Sequence, residues 1–256
     1  MFSVASWNVN SLRVRLEQVL AWLDREQPDI LALQEIKLDN DQFPSAEIEA
    51  AGYTALYNGQ KTYNGVAILS RQPGEILATD FPGYDDPQRR ILGAAYGGVA
   101  ILNLYVPNGS EVGSDKYAYK LDWLDRLHAY TRDLLDAWPR CLLLGDFNIA
   151  PGDEDVHDPE EWRGKVLCSE SERAAFARLI ETGLADCYRL FPREGKEYTW
   201  WDYRAAGFRR NRGLRIDHIL ASPPLRDQCR ACRIDIEPRR LERPSDHAPI
   251  VAEFDL

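Results

Sequence analysis

Three short apolar runs, Ile30 to Leu33, Cys141 to Leu144 and Ile250 to Val251, each have polar residues at or close to one end, and this pattern constrains the fold most. Gln34-Glu35 follows the first, Gly145-Asp146-Phe147-Asn148 follows the second, and Ser245-Asp246-His247-Ala248-Pro249 leads into the third. Runs of this length read as buried strands, and strand ends can gather polar groups from distant parts of a chain into one place.

The remaining sequence alternates between strand and helix signals. Val4 to Trp7 reads as a strand, and Ser11 to Arg25 as a helix with Leu12, Leu16, Val19, Leu20 and Leu23 on one face. Asp29 to Gln34 reads as the next strand, which puts Glu35 at its C-terminal end. Gly65 to Ser70, Leu92 to Ala95 and Val99 to Val106 read as strands of a β-meander, with Gly97-Gly98 in a tight hairpin. A helix is predicted over Asp115 to Trp138, stopped by Pro139, and another over Ser171 to Ile180, capped by Ser171 and closed near Gly183. Strands are expected around Tyr198 to Trp201, Ile216 to Leu220 and Pro249 to Phe254. Each half therefore gives helices and a mixed sheet. Two mixed β-sheets packed face to face with helices on the outside make a four-layered α/β sandwich. With 45% hydrophobic and 11% aromatic residues, 256 residues suffice for a large packed core. No Pro/Ser-rich linker interrupts them, so residues 1–256 are read as a single domain.

The net charge of −10 argues against a general polyanion binder. Basic residues nevertheless cluster at Arg89-Arg90, at Arg204, Arg209, Arg210, Arg212 and Arg215, and at Arg239, Arg240 and Arg243. No apolar run is long enough to span a bilayer and no leader pattern opens the chain, so a cytoplasmic protein without a membrane partner is expected. The five scattered cysteines are expected as reduced thiols, and the Cys229/Cys232 spacing lacks the second pair that a zinc or redox motif needs. His128 in a helix and His157 in an acidic loop read as packing or solvent-facing histidines.

The polar clusters suit phosphodiester hydrolysis, which needs charge neutralisation, an activated water and donors for the nonbridging oxygens. Glu35 and Asp246 offer hard oxygen ligands, with an amide from Asn8 or Asn10, a set that fits Mg²⁺ or Mn²⁺ better than zinc. On an extended segment Asp146 and Asn148 point the same way while Phe147 enters the core. Asp146 can then orient or deprotonate water. His247 directly follows Asp246, so their side chains diverge, and another acid must orient the imidazole. Tyr105 either caps a sheet edge or reaches the phosphate. Trp200 and Trp201 face opposite sides of a strand, which sends one of them to the core.

Six ordered motifs, Trp7-Asn8-Val9-Asn10-Ser11-Leu12-Arg13, Leu33-Gln34-Glu35, Tyr105-Val106-Pro107-Asn108-Gly109, Gly145-Asp146-Phe147-Asn148, Leu214-Arg215-Ile216-Asp217 and Ser245-Asp246-His247, span essentially the whole chain. In these it resembles the exonuclease III family of DNA-repair nucleases (AP endonuclease family 1), within the endonuclease/exonuclease/phosphatase superfamily. Ser11 stands where that family usually has glycine. The resemblance implies a Mg²⁺- or Mn²⁺-dependent hydrolase acting as a monomer on double-stranded DNA with abasic sites or 3′ ends. It implies metal-site residues among Asn8, Glu35, Asp146, Asn148, Asp246 and His247, and catalytic residues Tyr105, Asp146, Asn148, Asp217 and His247, with Asp217 as the acid behind His247. DNA contacts are implied for Arg13, Asn108, Trp200, Tyr203, Arg209, Arg210, Arg212 and Leu214, with Trp200, Leu214 and Ile216 walling a sugar pocket.

Relatives that cut at abasic sites often carry a small residue followed by an aromatic one where this chain, aligned on Glu172, has Leu167 and Cys168. Leu167 is therefore expected to bias the enzyme toward 3′-terminal trimming. The alternatives are a superfamily phosphodiesterase acting on RNA, a lipid or an inositol phosphate, and a catalytically inactive nucleic-acid-binding relative. Retention of Glu35, Asp146 and His247 favours an enzyme.

Overall fold

Four of the longer strands are buried at every residue: β2 (Ile30–Gln34), β4 (Val66–Ser70), β8 (Cys141–Asp146) and β12 (Asp217–Ala221). Strands with no polar face must be covered on both sides, so they lie inside their sheets. The computed structural model, which describes residues 1–256, places them in two six-stranded sheets. The first has the order β13 (Cys229–Ile234), β14 (Ile250–Phe254), β1 (Phe2–Asn8), β2, β4 and β3 (Thr54–Asn58). The second has the order β5 (Glu75–Ala78), β6 (Ile91–Tyr96), β7 (Val99–Tyr105), β8, β12 (Asp217–Ala221) and β9 (Ala185–Asp186). A two-stranded ribbon joins β10 (Trp200–Trp201) to β11 (Gly213–Leu214).

Both large sheets are mixed, since β1–β2 and β7–β8 run parallel while their other pairings are antiparallel. Between them lies a core of 22 buried residues drawn from both, including Val4, Ile68, Ile101, Leu144, Ile219 and Ile250. Helices α1 (Leu12–Glu26) and α2 (Ser45–Ala50) cover the outer face of the first sheet through Val19, Trp22, Leu23 and Ile48. Helices α3 (Asp115–Ala137) and, after the short α4 (Pro159–Trp162), α5 (Glu170–Glu181) cover the second through Trp123, Leu124, Leu127, Phe176 and Leu179. Each such side chain contributes on the order of 1.5–3 kcal/mol by leaving water. The order helix, sheet, sheet, helix is the expected four-layered sandwich.

The topology explains how the site assembles. Two parallel β-helix-β crossovers, β1–α1–β2 and β7–α3–β8, point the C-terminal ends of four strands toward one rim, where ligands of α/β sheets commonly bind. Because β12 and β14 run antiparallel to β8 and β1, their N-terminal ends reach the same rim. Asp217 therefore pairs in register with Asp146, which pairs with Tyr105 on the other side. Gly145 permits this approach: its φ is +144°, and a Cβ there would lie 1.9 Å from the Leu104 carbonyl oxygen.

Several local expectations change. Val66–Ser70 does not join a meander with the next two strands; β4 pairs with β2 and β3, and the chain then crosses to the second sheet, where β5, β6 and β7 form the meander. Gly97 and Gly98, with φ of 55° and 83°, do form the tight β6–β7 hairpin. Helix α5 starts at Glu170, capped by Ser169 rather than Ser171, because Ser169 and Glu172 satisfy each other's backbone N–H groups in a capping box. The Cys229/Cys232 spacing belongs to β13, where both thiols are buried and free. The basic clusters also divide: Arg215, Arg239 and Arg90 are buried, whereas Arg209 and Arg210 are exposed. Arg215 pairs with Asp155 of the acidic loop at 2.6 Å and with Asp186 at 2.7 Å. No helix is long and apolar enough to cross a membrane.

Candidate active site

At the shared rim the three apolar runs deliver their polar ends together. One ligand atom each from Glu35, Asp146 and His247 lie within 4.8 Å of one another, with Asp146 and His247 buried and Glu35 half-buried. The local backbone is unusual, since Asn10, Ser11, Glu35 and Asn148 all have positive φ. Such conformations cost free energy in non-glycine residues and concentrate where surrounding contacts fix a functional side chain.

Asn8 ends β1 and links the two sheets across the site. Its Nδ2 donates to Glu35 Oε1 and Asp146 Oδ2, both at 2.9 Å, and its Oδ1 accepts from the Asn10 amide at 3.0 Å. Its nitrogen, not its oxygen, faces the carboxylates. Asn148 leaves the extended conformation, and a turn rather than strand alternation sets it beside Asp146. Its backbone N–H donates to Asp146 Oδ1 at 2.9 Å, while its Nδ2 donates to the Val106 carbonyl at 2.9 Å and to Asp146 Oδ2 at 3.3 Å. Phe147 between them is fully buried.

Asp217 accepts from His247 Nδ1 at 2.8 Å, and His247 Nε2 stands 3.8 Å from Asp146 Oδ2, too far for a direct hydrogen bond. Burial pushes the imidazole toward its neutral form, but the charges of Asp217 and Asp146 outweigh it and raise the pKa to about 10. Burial raises Asp146 to about 7, against the opposing pull of His247. The resulting imidazolium has no lone pair for a cation and keeps a free Nε2–H facing the site. Among the three clustered groups the two carboxylates are therefore the better cation ligands, and these hard oxygens suit a hard divalent ion.

Asp246 sits one link away. Its oxygens accept from Asn10 Nδ2 and Trp200 Nε1, both at 3.0 Å, and Asn10 Oδ1 in turn accepts from Lys37, which is 2.9 Å from Glu35. Burial opposes its charge, but His247 and the Trp200 N–H overcome this and hold its pKa below the ordinary value. Tyr105 lies over Arg90, whose guanidinium is 4.5 Å from the ring centre. Burial and then the Glu35 charge raise the phenol well above its ordinary range, so it remains a proton donor.

Beside these groups lies an apolar cluster of Ala150, Val156, Leu167, Cys168, Leu214 and Ile216, with Trp162, Val166 and Trp200 packed against it. Trp201 is the buried member of the tandem pair and packs with Tyr198 on the other side. The expected DNA contacts are less concentrated. Arg13 is exposed and donates to Gln42 at 2.6 Å, Tyr203 is exposed and donates to the Pro244 carbonyl at 2.7 Å, and Arg212 is tied to Glu161. Asn108 is exposed and donates to Asn148 Oδ1 at 3.1 Å.

Sequence reading missed Lys120 and Glu172, a buried ion pair behind the Asn148 turn. A signal existed, because Lys120 shares the buried helical face with Tyr117, Trp123, Leu124 and Leu127, where lysine is out of place. It also missed Gln34 and Asn103, which hydrogen-bond across the sandwich at 2.8 Å.

The model of the Endonuclease/Exonuclease/phosphatase family matches residues 5–247. Exodeoxyribonuclease III of Haemophilus influenzae is 39% identical over 262 aligned positions, covering 97% of this chain and 98% of that protein. A Neisseria 3′ phosphatase bound to a product DNA hairpin superposes with a TM-score of 0.98 at 48% identity, with both chains fully covered. An AP endonuclease from Archaeoglobus fulgidus gives 0.96 at 39% identity, again over the full length of both.

Proposed function

Because the chain belongs to the endonuclease/exonuclease/phosphatase family, we propose that it is a DNA-repair phosphodiesterase of exonuclease III type, hydrolysing duplex DNA at 3′ ends and incising at abasic sites. The observation that carries this reading is the line Asp217, His247, Asp146, Glu35 beside an apolar cluster. It combines a proton donor, a proton acceptor and a cation-binding carboxylate within reach of one phosphate.

Glu35 and Asp146 would hold a Mg²⁺ or Mn²⁺ ion with Asp246 as a further anion nearby; when bound, it neutralises phosphate charge as a Lewis acid. Asp146 orients and deprotonates the attacking water, its carboxylate held in place by Asn8 and the Asn148 amide. His247 donates its Nε2–H to a nonbridging phosphate oxygen, with Asp217 fixing the ring and sustaining its charge. Tyr105 stays protonated and donates to the phosphate or the leaving oxygen. Asn148 braces Asp146, and Asn108 extends this contact toward the backbone of the bound strand. Water attacks phosphorus in one step, with no covalent enzyme intermediate.

Trp200 and Leu214 line the pocket for the sugar, and Arg13, Tyr203, Arg209, Arg210 and Arg212 grip the DNA backbone. Leu167 fills part of that wall and favours trimming of 3′ ends over entry of a flipped abasic nucleotide. The protein acts as a cytoplasmic monomer.

The test is Mg²⁺-dependent cleavage of two labelled duplexes, one with an internal abasic site and one with a recessed 3′ end. Trimming in excess of incision is expected. Incision equal to trimming would remove the role given to Leu167, and cleavage of neither would redirect the assignment to a non-DNA phosphodiester.

A further inference from the structure

Lys120 and Glu172 are both fully buried, yet neither touches the reacting groups. The cost of burying two charges is several kcal/mol per ion and is offset only where every remaining donor and acceptor is used. Here they are used on the backbone of two separate loops. Lys120 Nζ donates to the carbonyls of Asn148 at 2.7 Å and Asn108 at 3.2 Å. Glu172 Oε1 accepts from the Leu167 amide at 3.0 Å, and its Oε2 accepts from the Ser169 amide at 3.0 Å and hydroxyl at 2.6 Å.

The two loops meet beside the site. Asn148, with φ of 50°, braces Asp146, and Leu167, with φ of 75°, packs in the apolar cluster next to it. A direct bond also joins them, as the Leu167 carbonyl accepts from the Ala150 amide at 2.8 Å. A left-handed backbone costs a leucine roughly 1–2 kcal/mol, so Leu167 holds it only with outside support, whereas Asn148 adopts it more readily. Space around the lysine stem is also restricted, since a Cβ on Gly109 would lie 3.1 Å from Lys120 Cδ.

We infer that Lys120 and Glu172 form a positioning pair that fixes the Asn108–Asn148 wall and the Leu167 wall relative to each other, and so sets both turnover and the choice between abasic sites and 3′ ends. This rests on the nuclease reading above. The pair contributes to bringing phosphate and Asp146 into register, not to gripping the DNA backbone, so its loss lowers kcat with little change in KM.

The decisive variant is Lys120→Met/Glu172→Gln. It leaves no uncompensated buried charge, and the glutamine oxygen can still accept from the Leu167 or Ser169 amide, but the Asn108 and Asn148 carbonyls lose their donor. Thermal melting and steady-state kinetics on the abasic and recessed duplexes are compared for wild type, Lys120→Met and the double variant. The expected result is a double variant melting well above Lys120→Met, with KM near wild type, kcat lower by about 10²-fold and an altered ratio of incision to trimming.

A stable double variant with wild-type kcat and ratio would reduce the pair to a packing element and overturn the inference alone. Wild-type protein that cleaves neither duplex overturns the inference together with the nuclease reading. If the double variant does not fold, Lys120→Gln/Glu172→Gln, which likewise leaves no unpaired buried charge, gives the same decision: a lowered kcat with a changed ratio supports the inference, and wild-type kcat and ratio overturn it.

Discussion

Replacing Leu167 with glycine tests stability and selectivity through one side chain. Leu167 is only 4% exposed, packed with Leu214, Ile216 and Trp200, and its φ is +75°. Removing such a buried side chain costs about 2–5 kcal/mol. The greater freedom of glycine in the unfolded chain adds roughly 0.5–1 kcal/mol, and relief of the left-handed backbone returns about 1–2 kcal/mol. The net expectation is a loss of about 3 kcal/mol at the midpoints of these ranges, read as a lower urea midpoint at unchanged slope. The opened wall should also raise incision at an abasic site relative to 3′ trimming by about tenfold or more, equivalent to roughly 1.4 kcal/mol in relative barrier height. Single-turnover rates on the two duplexes measure that ratio. A destabilised but active Leu167→Gly protein with an unchanged ratio would refute the steric argument, and unchanged stability would refute the packing on which it depends.

Three further outcomes follow from the same geometry. Asp217→Asn removes the leading charge that lifts His247 to about 10, so the alkaline limb of kcat/KM should move toward neutral pH; an unmoved limb would separate His247 from that limb. Burial and then Arg215 lower His218 to about 4, while the unfolded residue titrates near its ordinary value of 6.5. Between those values the unfolded chain binds the extra proton, so stability is full above about pH 6.5 and falls by about 3 kcal/mol as pH drops through 4. Denaturant midpoints should show this slope in wild type and a flatter one in His218→Gln. Glu35→Gln removes one hard carboxylate and should weaken the Mg²⁺-dependent rise in melting temperature, whereas an unchanged rise would place the ion elsewhere.

The layered fold was legible because β2, β4 and β8 are continuous apolar runs and α1 and α3 keep helical spacing. The partner of β4 was not, because sheet membership depends on contacts between distant segments, and a crossover after Ser70 leaves no periodic signal. β13 was hidden because its buried positions in Cys229–Ile234 recur every third rather than every second residue, with a register shift between Cys229 and Ala231. At the site, residue types and their gathering at strand ends were readable, but orientation was not. Asn8 faces the carboxylates with its nitrogen, Asp246 is tied to Asn10 and Trp200, and Asn148 reaches Asp146 through a left-handed turn. Those details come from backbone conformations that a motif does not encode. Arg215, which the sequence groups with the exposed Arg209 and Arg210, is instead committed by burial to Asp155 and Asp186.

The central claim is that Asp146 activates the water that cleaves DNA. Its most direct test is single-turnover cleavage of the abasic and recessed duplexes by Asp146→Asn at saturating Mg²⁺, alongside DNA affinity measured by fluorescence anisotropy. Asparagine keeps the shape and the hydrogen-bond acceptor but cannot take the proton, so the rate on both duplexes should fall by on the order of 10²–10⁴ while affinity stays within a few-fold. A variant that binds DNA normally and cleaves either duplex at the wild-type rate would contradict the account.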